Sequence, residues 1–382
     1  MANRIFQAGR WAKRARLRFL RGVGADKRYW NTQLALRELH HGRVVLAAYP
    51  QLIQFGVTMA CNLHCMFCMR TVETVRARQS QAPSREIPPA VFEQVLALMP
   101  YANVFDLTPF GEALLYSQFD RILETHARLD CRNLSMTTSG TLLTPARAEA
   151  IVRSGVQHVK ISLEEADPGR YAALRVGGRL EQVVEGIRLL NDRKARRETP
   201  FPRLTLAASY MLRNVERLPD MVRFAAAHGV PEIYVQMLEL RYHDDPEVRQ
   251  EELTYHLPLL RRMIAEGEAE AKRLGIACVI TGPIRTLLDA ERPGADPSAP
   301  PAAARRHRPL LEKCTNPWWW AYIDENGYMW PCCWAKIGFG DLNRDAFMDV
   351  WNSPIAQDMR RRFLADEIPD YCRGQLCHVE YE

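Results

Sequence analysis

The sequence lacks the features that would place a protein in a membrane or outside the cell. None of its apolar runs approaches the roughly 20 residues that a transmembrane helix needs. Arg and Lys interrupt every apolar stretch near the N-terminus, which argues against a signal peptide. No internal repeat is visible beyond an alternation of strand-like and helix-like segments, so a repeat architecture is not expected. These absences predict a cytoplasmic protein.

Disulfide chemistry is also not expected, although the chain of 382 residues contains ten cysteines. Where an export signal is lacking, clustered thiols indicate metal ligands rather than disulfides. Cys131 and Cys278 stand alone and are interpreted as buried core residues. The other eight form one early group and one group near the C-terminus: Cys61, Cys65, Cys68, Cys314, Cys332, Cys333, Cys372 and Cys377.

The net positive charge of the chain comes from its N-terminal end. Residues 1–43 contain eleven Lys or Arg and two acidic residues, whereas the whole chain has a net charge of only +6. Residues 4–21 are predicted to form a basic amphipathic helix. Such a helix could contact an anionic membrane surface peripherally, or it could pack on the outside of the folded body. No nucleic-acid partner is expected.

From residue 51 onward, short apolar runs alternate with stretches of helical periodicity, which is typical of βα units and a parallel sheet. Six such units are too few to close an eight-stranded barrel. The expected fold is therefore α/β, a partial (β/α)6 TIM-like barrel with functional groups at the C-terminal ends of its strands. The six predicted strands are residues 51–59, 102–108, 133–138, 156–163, 203–211 and 232–238.

The composition divides the chain into four segments. Residues 1–50 are a basic N-terminal extension, and residues 51–288 form the barrel. Residues 289–312 are rich in Pro and Ala, which indicates a linker or a loop. Residues 313–382 are predicted to form a small cysteine-rich α+β domain. In that segment two aromatic strands flank the sequence DENG, a hairpin signal, and two helices follow.

The early cysteines lie within eight residues, directly after the first predicted strand. A structural zinc site takes four ligands in closely spaced pairs, which Cys61, Cys65 and Cys68 do not provide. Iron–sulfur clusters are held by cysteine thiolates, usually four. Three thiolates would leave one iron of a four-iron cluster with an open position, as a catalytic metal requires.

The stretch CNLHCMFC resembles the C-x3-C-x-aromatic-C signature of the radical S-adenosylmethionine (radical SAM) enzymes, with Phe67 as the aromatic residue. The resemblance implies that the open iron binds the amino and carboxylate groups of S-adenosylmethionine (SAM). It also implies that an electron from the [4Fe–4S] cluster cleaves SAM and yields a 5′-deoxyadenosyl radical. The fourth ligand of the cluster would then be the cofactor itself.

Three later strand ends resemble cofactor-binding segments of the same family: PFGEALL, TTSG and KISLEEADPGRYAALR. The matches are imperfect, because Ala113 replaces a proline, Ser139 an asparagine and Glu164 an aspartate. For Arg175 a salt bridge on a helix surface is the alternative. The resemblance implies cofactor contacts from Gly111, Glu112, Ser139, Ser162, Glu164 and Arg175.

The C-terminal segment resembles the SPASM or shorter twitch extension of the same superfamily. The resemblance implies one auxiliary [4Fe–4S] cluster, held by Cys314, Cys332, Cys372 and Cys377. A zinc ribbon is the alternative for these four cysteines. Cys333 could replace Cys332 as a ligand, remain a buried thiol, or donate a hydrogen atom to a substrate radical as a catalytic residue.

Together these resemblances imply a radical SAM enzyme of oxidoreductase or epimerase type, supplied with electrons by a reductant such as flavodoxin or ferredoxin. The expected substrate is a small polar molecule of sugar, aminocyclitol or nucleoside type. The alternative is a maturase that modifies a peptide or a protein. Peptide-modifying relatives often carry a leader-binding module, and about 50 residues before the barrel are too few for one to fold. A plain redox protein would have no reason for the Gly111, Glu112 and Arg175 matches.

Overall fold

The computed structural model describes residues 23–72, 85–238, 240, 243–282, 284, 285, 288, 314–333, 335 and 337–372. The predicted helix over residues 4–21, the segment 289–312 and Cys377 lie outside the described residues. Within the described part of the chain, no helix combines the length and the apolar character that a membrane crossing requires.

The described strands are β1 (Leu52–Phe55), β2 (His64–Cys65), β3 (Val104–Leu107), β4 (Leu134–Thr138), β5 (His158–Ser162), β6 (Arg175–Val176), β7 (Arg203–Tyr210), β8 (Glu232–Met237), β9 (Ala277–Ile280), β10 (Trp320–Ile323), β11 (Tyr328–Trp330) and β12 (Gly340–Asp341).

The described α-helices are α1 (Val23–His40), α2 (Pro89–Leu96), α3 (Phe119–Leu129), α4 (Pro145–Arg153), α5 (Pro168–Leu174), α6 (Leu180–Arg196), α7 (Leu218–Ala227), α8 (Pro246–Arg249), α9 (Leu257–Leu274), α10 (Asn316–Trp319), α11 (Phe347–Trp351) and α12 (Pro354–Leu364).

Ten of these strands form one sheet in the order β12-β11-β10-β1-β3-β4-β5-β7-β8-β9. The strands from β10 to β9 are parallel, whereas β10, β11 and β12 are joined by antiparallel pairing. The predicted partial barrel is confirmed, and each of the six predicted strands is present. Two additions were not predicted: β9 extends one edge, and β10 pairs with β1 at the other.

Alternate residues of the parallel strands face the helices, and these residues are apolar. Phe55 of β1 stacks on Phe92 of α2 at 6.1 Å between ring centroids and meets Phe105 of β3 edge to face at 5.7 Å. Several helices begin at a polar N-cap residue that is followed by proline. The side chain of the cap accepts from a free backbone N–H, and the proline presets the backbone of the first turn. Thr144 caps α4 and Asp167 caps α5 in this way.

The C-terminal segment is tied to the barrel by a buried arginine. Arg360 of α12 has no exposed surface and donates to the carbonyls of Val44, Pro317 and Trp351 at 2.8–2.9 Å. Its guanidinium also lies over the Trp351 ring at 4.7 Å. Arg360 therefore joins the chain before β1 to the helices α10, α11 and α12.

Candidate functional site

The three early cysteines follow β1 at the C-terminal end of the barrel, as predicted. Their loop is held by the backbone of the PFGE stretch, since Gly111 N donates to Thr58 O at 3.0 Å and Glu112 N donates to Ala60 O at 2.8 Å. A Cβ atom on Gly111 would lie 2.3 Å from Ala60 O. Only glycine fits where these two loops meet, because any larger residue would collide with the backbone of the cysteine loop.

The cysteine loop is embedded in an apolar cluster separate from the main core. Leu63, Phe67, Leu174 and Met211 are buried in this cluster, and the cysteines of the loop contact it. Burial raises the pKa of the Cys65 thiol to about 11 and also raises the pKa of the Cys61 thiol. A thiolate at these positions therefore needs a cation beside it to offset the loss of water.

Glu112 lies at the barrel mouth with 3% of its surface exposed. Its carboxylate accepts from the Thr138 hydroxyl and from the Ser139 N–H, both at 2.7 Å. The Ser139 hydroxyl lies 2.9 Å from that of Thr141, which in turn accepts from the Asn62 side chain at 3.0 Å. The predicted residues Gly111, Glu112 and Ser139 are thus brought together around the cysteine loop.

Arg175 is also brought to the cysteine loop. Strand β6 pairs with β2, so that Arg175 lies opposite Cys65, and its guanidinium approaches Cys65 Sγ at 3.7 Å. Arg175 forms a bidentate ion pair with Glu164 at 2.5 and 2.7 Å, and both residues are buried. Its guanidinium lies 5.7 Å from the centre of the Phe67 ring. The salt bridge is therefore an internal one, and its two members were both predicted as cofactor contacts.

The charge of this ion pair is stabilised despite its burial. Burial opposes the charged form of Arg175, but the attraction of the Glu164 carboxylate and its hydrogen bonds outweigh burial and raise the pKa of the guanidinium. The ion pair holds Cys65 from one side through the contact of Arg175 with the thiol. The backbone next to Cys65 is held as well, since Met66 N donates to Leu174 O at 3.1 Å. Sequence spacing gave no sign of the short β2–β6 pairing.

The sheet face opposite the helices is polar, and we call it the concave face. Lys160 of β5 lies 3.2 Å from the carboxylate of Asp106 on β3, and Thr108 donates to the same carboxylate at 2.7 Å. Burial opposes ionisation of Asp106, but Lys160 and the hydrogen bonds outweigh it and lower the pKa of that carboxyl. The concave face is formed by Asp106, Thr108, Ser135, Thr137, Lys160, Ser162, Thr205, Ala207, Ser209, Tyr234 and Gln236.

Hydroxyl and amide groups on the concave face are linked across neighbouring strands. Thr108 and Thr137 are 3.1 Å apart, and Gln236 donates to the Ser209 hydroxyl at 2.6 Å. Ser162, predicted as a cofactor contact, is half-buried at the C-terminal end of β5 and pairs in register with Ala207. The predicted site residues therefore lie at the rim of a polar concave surface.

The second cysteine group is only partly described. Cys314 is buried, Cys332 and Cys372 are half-buried, and Cys333 is exposed, whereas Cys377 lies outside the described residues. Burial raises the pKa of Tyr234 on the concave face, and the nearby Cys333 thiol raises it further. Trp318, four residues after Cys314, packs on Phe363.

One functional candidate was missed by the sequence reasoning. Glu325 lies in the DENG turn between β10 and β11, where an acidic residue is usually solvated, yet only 3% of its surface is exposed. Its carboxyl group accepts from Phe110 N at 2.6 Å, next to Gly111. No local sequence signal could have revealed this contact, because it depends on the pairing of β10 with β1.

The residues at the barrel mouth fit an iron–sulfur cluster better than a single metal ion. Among the described residues, no three His, Cys, Asp or Glu side chains converge closely enough to hold one ion. A four-iron cluster attaches each thiolate to a different iron and so requires thiols spread around a larger volume. Asn62 Oδ1 and the Tyr171 hydroxyl are buried near this loop without a hydrogen-bond partner in the described part of the chain.

Two family models match the chain. The model of the radical SAM superfamily matches residues 56–225, and that of the SPASM iron–sulfur cluster-binding domain matches residues 314–378. Among curated proteins, a GTP 3′,8-cyclase of Marinobacter nauticus is 28% identical over 50% of this chain and 56% of its own length. GTP 3′,8-cyclase 1 of Pseudomonas aeruginosa is 29% identical over 49% and 54%. The chain thus spans about half the length of the curated relatives it matches.

Solved structures resemble the fold over most of the chain. Streptococcus suis SuiB bound to S-adenosylmethionine has a TM-score of 0.61 at 16% identity and covers 87% of this chain and 72% of its own. Native anSMEcpe with bound AdoMet has a TM-score of 0.59 at 14% identity, covering 85% and 89%. The radical SAM domain binds a [4Fe–4S] cluster and SAM, and the SPASM domain binds auxiliary iron–sulfur clusters. The chain therefore contains a radical SAM superfamily domain, followed by a C-terminal SPASM iron–sulfur cluster-binding domain.

Proposed function

We propose that this enzyme abstracts a hydrogen atom from a small polar substrate bound on the concave face, leading to oxidation or epimerisation. The observation that carries the proposal is the polar concave face beneath the cysteine loop, with the Lys160–Asp106 ion pair at its centre. Its hydroxyl and amide groups suit a substrate with several hydroxyl groups, such as a sugar, an aminocyclitol or a nucleoside. Curated relatives named for a GTP cyclase favour a small polar substrate.

In this proposal Cys61, Cys65 and Cys68 hold the SAM-binding cluster. Glu112, fixed by Thr138 and Ser139, accepts the cofactor's ammonium group. When bound, the cluster and SAM supply a 5′-deoxyadenosyl radical that abstracts the substrate hydrogen atom. The protein's own contribution is to orient the substrate and to exclude water from the apolar cluster around Phe67.

Arg175, Glu164, Ser162 and Phe67 complete the proposed cofactor site. The guanidinium of Arg175 keeps its charge in the buried pair with Glu164, so it can attract a carboxylate while also holding the position of the Cys65 segment. Ser162 at the end of β5 would contact the cofactor from the barrel side. Phe67 packs its ring under Arg175 and keeps the loop dry.

The proposed auxiliary cluster belongs to residues 313–382, after a barrel over 51–288 and a connection over 289–312. Its ligands would be Cys314, Cys332, Cys372 and Cys377. A flavodoxin or ferredoxin would supply electrons to the enzyme. The aromatic hairpin would limit access of water to this cluster, and reduced access of water tunes the potential of such a centre.

Cys333 is proposed as the hydrogen-atom donor to the substrate radical. The Cys333 thiol is exposed, and it lies near enough to Tyr234 of the concave face to raise the pKa of that residue. The thiol would give one hydrogen atom to carbon, and the reductant would return one electron, with a proton from solvent.

Cys333→Ala is expected to keep 5′-deoxyadenosine formation but to lose solvent deuterium from the product when turnover is run in deuterium oxide. Mass spectrometry of the product measures this loss, and Cys278→Ala on β9 is the control. If Cys333→Ala instead lost about four irons per chain, the residue would be an auxiliary ligand and not the donor.

Peptide modification is the second candidate. It is favoured by the fold similarity to SuiB, one structure of which is described as bound to a precursor peptide.

Anaerobic reconstitution with dithionite and SAM tests the proposed chemistry, with 5′-deoxyadenosine and about eight irons per chain expected. Nucleosides, sugars and short peptides are then compared for a rise in 5′-deoxyadenosine formation. A response to peptides alone would replace the small-molecule proposal.

The N-terminal segment is proposed to contact an anionic membrane surface peripherally. Trp30 and Leu34 are one helical turn apart on α1 and are 58% and 37% exposed, next to the basic residues of the segment 1–43. Deletion of residues 1–25 is expected to reduce cosedimentation with vesicles containing phosphatidylglycerol by about tenfold, and 0.5 M salt should act similarly on the full chain. Unchanged binding after the deletion would remove the proposal.

A further inference from the structure

The turn between β10 and β11 is built to hold Glu325 in one position. Asp324 Oδ1 accepts from the backbone N–H groups of Asn326 and Tyr328, both at 3.0 Å. Its other oxygen accepts from the Trp330 indole at 2.8 Å. Gly327 closes the turn with a φ of +87°, a left-handed conformation that glycine adopts without strain. Glu325 therefore lies in a turn whose backbone is held in place by the hydrogen bonds of Asp324.

The Glu325 carboxyl group fills the space between the exits of β1 and β3. The turn follows the parallel pairing of β10 with β1, and Gly56 N donates to Ile323 O at 2.8 Å. A Cβ atom on Gly56 would lie 2.8 Å from Glu325 Cδ, so the carboxyl group packs directly against the Gly56 backbone. On the other side, Glu325 Oε1 accepts from Phe110 N at 2.6 Å.

This contact completes a row of three consecutive amides. Phe110 N donates to Glu325, Gly111 N to Thr58 O and Glu112 N to Ala60 O. The row fixes the backbone that carries the Glu112 carboxylate to the cysteine loop. One of its three anchors thus comes from the C-terminal segment, more than 200 residues further along the chain.

The ionisation of Glu325 is coupled to its burial. Burial raises the pKa of Glu325 to about 8, the Phe110 N–H and the Arg70 guanidinium oppose this shift, and the Asp324 carboxylate adds to it. Asp324 and Arg70 are the charged groups that face it from the turn and from the end of the cysteine loop. The neutral carboxyl group and the carboxylate can both accept from Phe110 N–H, and the carboxylate accepts more strongly.

We propose that Glu325 is a positioning residue that couples the C-terminal hairpin to SAM binding by holding Phe110 N–H and, through it, Glu112. The inference rests on the proposed function in one respect, that Glu112 receives the cofactor. It predicts that SAM affinity depends on a residue of the SPASM segment that touches neither the cofactor nor a cluster ligand.

The test compares Glu325→Gln and Glu325→Ala with the unchanged cluster-loaded protein, and uses Asp345→Asn as the control for an exposed acid of the same segment. Glutamine keeps the acceptor and cannot ionise. At pH 7, Glu325→Gln should bind SAM within about twofold of the unchanged protein, and Glu325→Ala about tenfold more weakly.

Hydrogen exchange at the Phe110 amide gives an independent readout. It should accelerate about tenfold or more in Glu325→Ala and remain unchanged in Glu325→Gln and Asp345→Asn at pH 7. Unchanged SAM affinity in Glu325→Ala, or SAM binding by Glu325→Gln as weak as that of Glu325→Ala, would overturn the proposal. Both measurements are made without turnover, so a failure of the proposed hydrogen abstraction would leave their results intact.

Discussion

Alanine in place of Cys65 is expected to abolish 5′-deoxyadenosine formation. Cys65 is the most deeply placed thiol of the loop, and two remaining thiolates cannot hold a four-iron cluster with an open position. The backbone pairing of β2 with β6 does not involve the Cys65 side chain, so the fold should survive. The measurements are 5′-deoxyadenosine after anaerobic reconstitution and iron per chain, which should fall from about eight to about four.

Cys278→Ala is the matched control for this variant, because the Cys278 thiol is also partly buried but lies on β9. Burial likewise raises the pKa of the Cys278 thiol to about 11, so the two cysteines have thiols of similar acidity. The control should retain both iron and activity. Full activity of Cys65→Ala, or zinc in place of iron at this loop, would contradict the assignment.

Alanine in place of Arg360 is expected to lower the free energy of unfolding by about 3 kcal/mol or more. The substitution would leave the carbonyls of Val44, Pro317 and Trp351 buried without their donor. It would also remove the cation that lies over the Trp351 ring. Urea unfolding midpoints measure the effect, and the cysteines of the C-terminal segment should become more reactive toward thiol reagents.

Arg362→Ala is the control for this loss, because it is two residues away on the same helix. Arg362 is exposed and pairs with Asp358 at 3.0 Å, so its replacement should change the free energy of unfolding by no more than about 0.5 kcal/mol. Arg360→Lys should be nearly as harmful as alanine, because an ammonium cannot reach three carbonyls in a fork. Equal midpoints for the Arg360 and Arg362 variants would show that the buried guanidinium contributes little.

The barrel was predictable because its signals are local. Each parallel strand is short and apolar on its helix-facing side, and caps such as Thr144 and Asp167 stand directly before proline at the helix starts. Helix α1 was not predicted, because its exposed face carries Trp30 and Leu34 and its periodicity is weak. The parallel pairing of β10 with β1 was not predictable either, since nothing in either strand identifies so distant a partner.

The site was predictable where spacing alone carries the chemistry, as in Cys61, Cys65 and Cys68. The contacts of the residues around these cysteines were not predictable from the sequence. Arg175 pairs with Glu164 inside the protein. Glu325 is buried, although the DENG sequence around it is typical of a solvent-exposed turn. Arg360 stands in a run of three arginines that resembles an exposed helix face, yet it alone has no exposed surface. Charge and spacing give the residue type, but only tertiary pairing decides whether water reaches it.

The pairing of Leu52 with Trp320 and of Phe55 with Ile323 has a consequence for how the chain is made. During synthesis, the first barrel strand waits for a neighbour that emerges from the ribosome more than 260 residues later. Until then one side of β1 offers free peptide groups next to apolar side chains, an arrangement that invites self-association. We therefore expect the nascent chain to need a chaperone over this interval, and any version that ends before Trp320 to aggregate.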